Sequence, residues 1–254
     1  MKIVLIALAL VAQSAIPAEQ VKLASSTSIE INLDKLKGTL VRQLAWSPDK
    51  SELYLMTYEP NKDASVKETF HFVIPLATGV PKRVDAQPEW AVTYWKWKSD
   101  RTAPGDPAFA LELVNEKRRQ NAVALPMGGD MARGGTADPT GGLSQEAALD
   151  AARAMRNDDV IMIKLKNEIV GEWINLPFMP GQTFGWGPAN SGLIAYAEKG
   201  TGRLVIMDKK GDKQKVNDTK NVVMPAWADD GSKLAYLEGR GRGRFALNVA
   251  TVAK

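Results

Sequence analysis

The sequence predicts an all-β fold, a β-propeller of about four blades, and three observations carry that expectation. A Trp, a short polar turn and a Leu recur as one phrase along the chain. A second, strand-like phrase follows each first one at near-constant distance. Most of the departures from that spacing fall at one kind of loop.

Trp46, Trp186 and Trp227 each stand seven residues before a leucine: Leu53, Leu193 and Leu234. Between them lie "SPDKSE", "GPANSG" and "ADDGSK". Pro presets φ, Asp and Asn bond their own backbone, and Gly accepts positive φ, so each stretch spells a turn between two strands. The strands that follow, "ELYLM", "LIAYA" and "KLAYL", are apolar or alternating. The second phrase is "FVIPLATG" from Phe72, "IMIKLKNE" from Ile161, "LVIMDKKG" from Leu204 and "FALNVATV" from Phe245. The next Trp follows Phe72, Ile161 and Leu204 by 25, 25 and 23 residues, which recruits Trp97 in "YWKWKSD" as the Trp of the second repeat. Its turn is longer, "KSDRTAPGDPA". Four repeats of about four short strands each give the propeller.

In chain order, residues 1–18 read as a secretory leader: Met1-Lys2 is basic, residues 3–12 are apolar, and small residues allow cleavage after Ser14 or Ala18. Ten apolar residues are too few for the ~20 that a spanning helix needs. The mature chain is therefore expected to be exported, periplasmic or extracellular, and not inserted in a membrane. Residues 19–254 form a single propeller domain. Within it "IEINL", residues 29–33, alternates and precedes Trp46 by 13 residues, the offset of Trp173 from Trp186. This segment is expected to supply the outer strand that the fourth repeat lacks, closing the ring and covering a sheet edge. From Trp to second phrase the distance is 18 residues in repeats three and four, 26 in repeat one and 64 in repeat two. Some of the excess in repeat two is its longer first turn, and most falls between a blade's second and third strands. That puts "YEPNKDASVKET", an insertion of about 115–159 and "GRGRGR" (239–244) on one face. Residues 127–142 of the insertion are Gly-rich and read as a loop; residues 143–156 read as a helix capped by Ser144, with Leu143, Ala147, Ala151 and Met155 along one side.

"AWSPDKSELYL" and "AWADDGSKLAYLEGRGRGRFALNV" resemble the TolB-type, WD40-like propeller repeat, in which W-S-P-D-G precedes an inner strand. The resemblance runs from about Gln43 to the C-terminus, good in the first and fourth repeats and poorest in the turn of the second. It implies a propeller that serves as a protein-interaction platform.

Composition narrows the chemistry. The absence of Cys rules out disulfides, thiol catalysis and thiolate zinc sites. A net charge of +4 over 254 residues is far from a nucleic-acid-binding profile. The only histidine, His71, lies in the apolar strand "TFHFVIP" and reads as structural, and no G-x-S-x-G is present. The innermost strands, read as "RQLAW", "TYWKW", "QTFGW" and "MPAW", hold no carboxylate for acid–base work. Asp49, Asp100, Asp229 and Asp230 recur in first turns and read as turn formers rather than a calcium rim. The expectation is a non-enzymatic platform without catalytic residues, metal or cofactor. It would bind a protein partner in the cell envelope or outside the cell through Arg240, Arg242 and Arg244. The alternative is a carbohydrate- or small-ligand-binding propeller whose central channel presents Trp95, Lys96 and Trp97 to a sugar.

Overall fold

The computed structural model describes residues 17–18, 21–38, 40–61, 66–98, 101–117, 159–174, 183–241 and 243–253. The chain enters through β1 (Lys22–Asn32) and a single helical turn, α1 (Leu33–Leu36). The first sheet is β2 (Leu40–Trp46), β3 (Glu52–Pro60), β4 (Val66–Pro75) and β5 (Lys82–Val84), hydrogen-bonded in that order. Helix α2 (Glu89–Lys98) and a small hairpin, β6 (Thr102–Ala103) with β7 (Asp106–Ala110), lead to the second sheet. That sheet has three strands: β8 (Glu112–Lys117), β9 (Asp159–Leu165) and β10 (Glu168–Ile174). The third runs β11 (Phe184–Trp186), β12 (Leu193–Ala197), β13 (Leu204–Asp208) and β14 (Lys213–Lys215). The fourth is β15 (Val222–Trp227), β16 (Lys233–Gly241), β17 (Arg244–Ala253) and, on its outer side, β1. These are four propeller blades.

The recurring phrase is the first hairpin of a blade. Trp46 pairs with Leu53 and Trp227 with Leu234, so the seven-residue spacing is the register of the turn itself. Trp186 pairs with Ile194, one position further on, because its turn runs through two positive-φ residues, Asn190 and Gly192. The second phrase lies in one strand of each blade: Phe72 in β4, Ile161 in β9, Leu204 in β13 and Phe245 in β17.

Burial follows from stacking the blades. One cluster joins the first and fourth sheets through Leu44, Trp46, Leu55 and Phe72 against Ala226, Leu237 and Leu247. A second joins the second and third through Phe109, Ile163 and Leu165 against Trp186, Tyr196 and Met207. The third holds Leu193, Ile206, Trp227 and Leu234 together with Ala18 and Val21 from the entering segment. Trp46, Trp186 and Trp227 are all buried. At ~25 cal/mol per Å², each ring of ~150–250 Å² is worth roughly 4–6 kcal/mol of transfer free energy before entropy, in a chain with no disulfide.

Two expectations change. The outer strand of the fourth blade is longer than residues 29–33: β1 pairs with β17 from Lys22↔Ala253 to Asn32↔Arg244. It stops one residue early because Asn32 caps α1, its side chain accepting from the Asp34 N–H at 3.0 Å, and Leu33 turns inward. In the second blade "TYWKW" is not an inner strand. Residues 89–98 are helical, and Ala91, Tyr94 and Lys98 form one buried side at i, i+3 and i+7. The Ala91 and Val92 N–H groups donate to the Pro88 carbonyl, Glu89 stands in the first turn, and Lys96 and Lys98 stand in the last, which suits the helix dipole. The long turn after Trp97 contains the β6–β7 hairpin. Residues 118–158 connect β8 to β9, the second and third strands of that blade. The expected Gly-rich loop 127–142 and helix 143–156, residues 1–16 of the leader, Asp100 and Arg242 lie outside the described residues.

Candidate functional site

Helix α2 precedes the second sheet in the chain and packs against β2, and its last residue bonds to the end of β11 in the third sheet. Lys98 is 1% exposed. Its ammonium donates to the carbonyls of Trp186 (3.2 Å) and Gly187 (2.9 Å) at the end of β11, and lies 3.9 Å from Asp229 Oδ1. One helical turn earlier the Tyr94 hydroxyl donates to the Trp227 carbonyl at 2.7 Å, at the end of β15. Burial lowers the Lys98 ammonium to about 8, and Asp229 works against that shift. Lys98 therefore remains a cation at neutral pH, with its proton held less firmly than in water.

Beside this junction a cleft of about 500 Å³ opens. Its walls are Trp46 and Pro48 at the first blade's turn, Glu89, Trp90, Thr93 and Tyr94 on α2, and Asp229 at the fourth blade's turn. Trp90 is half-buried, its ring edge-on to Tyr54 with centroids 6.3 Å apart. Tyr54 in turn shares a 2.6 Å hydrogen bond with His71 Nδ1. The lone histidine is thus part of the support behind Trp90, with burial and Arg83 both lowering its pKa. Tyr94 carries Lys98 over its ring at 5.9 Å and Trp46 carries Lys233 at 5.7 Å. Two of the three cleft aromatics therefore already hold an internal cation.

The aspartates of the first turns divide into two kinds. Asp49 accepts from the Ser47 and Ser51 hydroxyls (2.6 and 2.7 Å) and the Ser51 N–H (3.1 Å), bonds that hold its carboxyl down at about 2. Asp230, at the matching place after Trp227, accepts from the Ser232 N–H and hydroxyl and from Lys50 at 2.6 Å, and its carboxyl is likewise held well below the usual range. Both are turn formers, as expected. Asp229 is not. It occupies the position of Pro48 and Pro188 in the other turns, accepts no hydrogen bond from its own turn, and faces the cleft. Burial pushes its carboxyl up and Asp230 adds to the rise, while Lys98 pulls it back. No group of three or more His, Asp or Glu among the described residues is placed to hold a metal ion.

The expected site residues fall elsewhere. Arg240 and Arg244 are exposed at the β16–β17 hairpin, on the face opposite the cleft; Arg242 between them is outside the described residues. Trp95, Lys96 and Trp97 lie in α2, and neither Trp95 nor Lys96 lines the cleft. Trp95 is half-buried and Lys96 exposed. The sequence reading missed Trp90 and Glu89 and took Asp229 for a turn former. Only Asp229 left a signal, as the acidic residue standing where the phrase otherwise has Pro. Glu89 and Asp229 also bring two carboxylates to one opening from a helix and a turn, segments outside the inner strands where carboxylates were sought.

No protein-family model and no curated protein matches the chain. Solved structures similar to it include TolB from Acinetobacter baumannii, at 13% identity and a TM-score of 0.27, over 83% of this chain and 54% of that one. The putative TolB from Agrobacterium tumefaciens aligns at 12% identity and a TM-score of 0.25, over 92% of this chain and 71% of that one. The β-propeller domain of Myceliophteria thermophila Cps50 (Swd1) aligns at 11% identity and a TM-score of 0.27, over 84% of each chain. The chain spans about half the length of the first of these. No helix among the described residues is long and apolar enough to cross a membrane. On its own strand order the chain is a four-bladed β-propeller, and solved TolB structures are among those it resembles.

Proposed function

We propose that this protein is an exported, non-enzymatic propeller that works as a protein-interaction platform and receives its partner at the α2 cleft. The observation that carries the reading is the opening of about 500 Å³ in which a half-buried Trp90 and an Asp229 released from turn duty face the same space. Aromatic rings with a few convergent polar groups are the usual make-up of a binding site. Export is supported by the basic start, the apolar run and the small residues of 1–18. Arg240 and Arg244, exposed and without an ion pair among the described residues, supply a second contact surface on the other face.

The test is a photo-crosslinking residue at Thr93 in one variant and at Arg240 in another, each in the full chain in the producing cell. A discrete protein adduct from Thr93 supports the reading. An adduct from Arg240 alone moves the contact to the arginine face, and no adduct from either overturns the platform. A hydrolytic activity lost in Glu89→Gln would overturn the non-enzymatic part.

A further inference from the structure

We infer that the cleft receives a cationic side chain, a lysine or arginine of the partner protein, over Trp90 and against Asp229 and Glu89. The inference rests on the platform reading and names the chemistry of what docks there. Of the three cleft rings, Tyr94 and Trp46 already carry Lys98 and Lys233 at 5.9 and 5.7 Å. Trp90 is the ring on which no described cation sits, and it is half-buried with an edge contact to Tyr54 fixing its tilt. A cation over a Trp face is attracted by the ring's quadrupole, more strongly as water is excluded.

Charge points the same way. Asp49 and Asp230 have their oxygens occupied by serines and, for Asp230, by Lys50. The charged partner of Asp229 is Lys98 at 3.9 Å, and that ammonium is turned to the Trp186 and Gly187 carbonyls. Glu89 adds a second exposed carboxylate at the rim. A partly desolvated carboxylate with no close hydrogen-bond donor is relieved by an incoming ammonium or guanidinium. Thr93, Pro48 and Val92 are exposed around or next to the opening, a shoulder on which the flanking backbone of a partner can rest.

The test titrates the full-length protein, by its Trp fluorescence, with acetyl-Gly-X-Gly-amide peptides in which X is lysine, arginine, norleucine or glutamate. Lysine and arginine should give a saturable change that weakens at least tenfold in Asp229→Asn and in Trp90→Leu and falls as salt rises. Thr93→Lys, at an exposed site that leaves the fold intact, should block the lysine peptide because its own ammonium reaches the cleft, whereas Thr93→Met should not. Norleucine binding as tightly as lysine, or Asp229→Asn leaving the lysine peptide unaffected, overturns the inference. Putrescine or tetramethylammonium binding more tightly than either peptide also overturns it, in favour of a free organic cation. These outcomes are separate from the crosslinking result: a protein adduct at Thr93 with no cation selectivity leaves the platform standing and removes only the cationic occupant.

Discussion

The second and fourth blades solve the same problem by opposite means. In the fourth, an extended strand ends in a buried Trp227, and the sheet is filled out by β1 from the far end of the sequence. In the second, a helix stands in the chain where the inner strand was expected, and a buried ammonium grips the neighbouring blade by two of its carbonyls. The fourth blade is joined mainly by apolar area, which is indifferent to pH, with the Lys50–Asp230 pair at its turn. The second is joined by directed bonds from a buried ammonium, whose proton burial holds less firmly than water does. A repeat fold can thus replace a ladder with a few directed bonds where one blade departs from the pattern, at the expense of a new sensitivity.

That contrast can be broken at several places. The largest effect belongs to the apolar side: Trp227→Ala should lower unfolding free energy by about 3–5 kcal/mol in urea titration. Lys98→Ala should lower it by about 2–3 kcal/mol, since it leaves the Trp186 and Gly187 carbonyls without their donor; a loss below about 0.5 kcal/mol would mean that the helix holds itself in place. The pH dependence comes next. Lys98 titrates at about 8 folded and at the ordinary lysine value unfolded, so the unfolded chain binds more protons between those values. Stability should therefore rise as pH goes from 8 towards 10, by about 1–2 kcal/mol from this group, and the rise should vanish in Lys98→Met. Above pH ~10 the sign reverses, because burial raises Tyr54 and Tyr236 and only the unfolded chain then loses those protons. The smallest effect separates the aspartates. Asp49→Asn should lower the thermal midpoint more than Asp229→Asn, and the Asp49 contribution should fade as pH falls from about 4 to about 2. Equal shifts would return Asp229 to the turn formers.

The blades were legible because their rule is local: a Trp, a turn and a Leu in register leave a fixed spacing whatever surrounds them. The helix was not, because its buried side is Ala91, Tyr94 and Lys98, and a lysine in that row hides the helical period. With Lys98 counted as polar, the alternation of "YWKW" looks like a strand. The cleft escaped for a different reason: Trp90 and Asp229 are far apart in sequence, and only the packing of α2 against the ends of β2 and β15 brings them together. Basic residues alternating with Gly drew the site reading to Arg240, Arg242 and Arg244, since exposed charge is visible in sequence and a concave surface is not.

The pairing of β1 with β17 also sets an order in time. A ribosome delivers Lys22 long before its register partner Ala253, so β1 waits through the synthesis of all that lies between without its sheet. Ala18, whose N–H reaches the Asp208 carboxylate at 3.3 Å, must wait as well, though only for the third blade. Closing so long a loop is entropically slow and is rewarded only when the last strand arrives. The first three blades can gather early, but the fourth is decided only when β17 has emerged. A ribosome stalled anywhere before Arg244 would therefore hold a chain whose first strand is still looking for its place, an open edge offered to any neighbour.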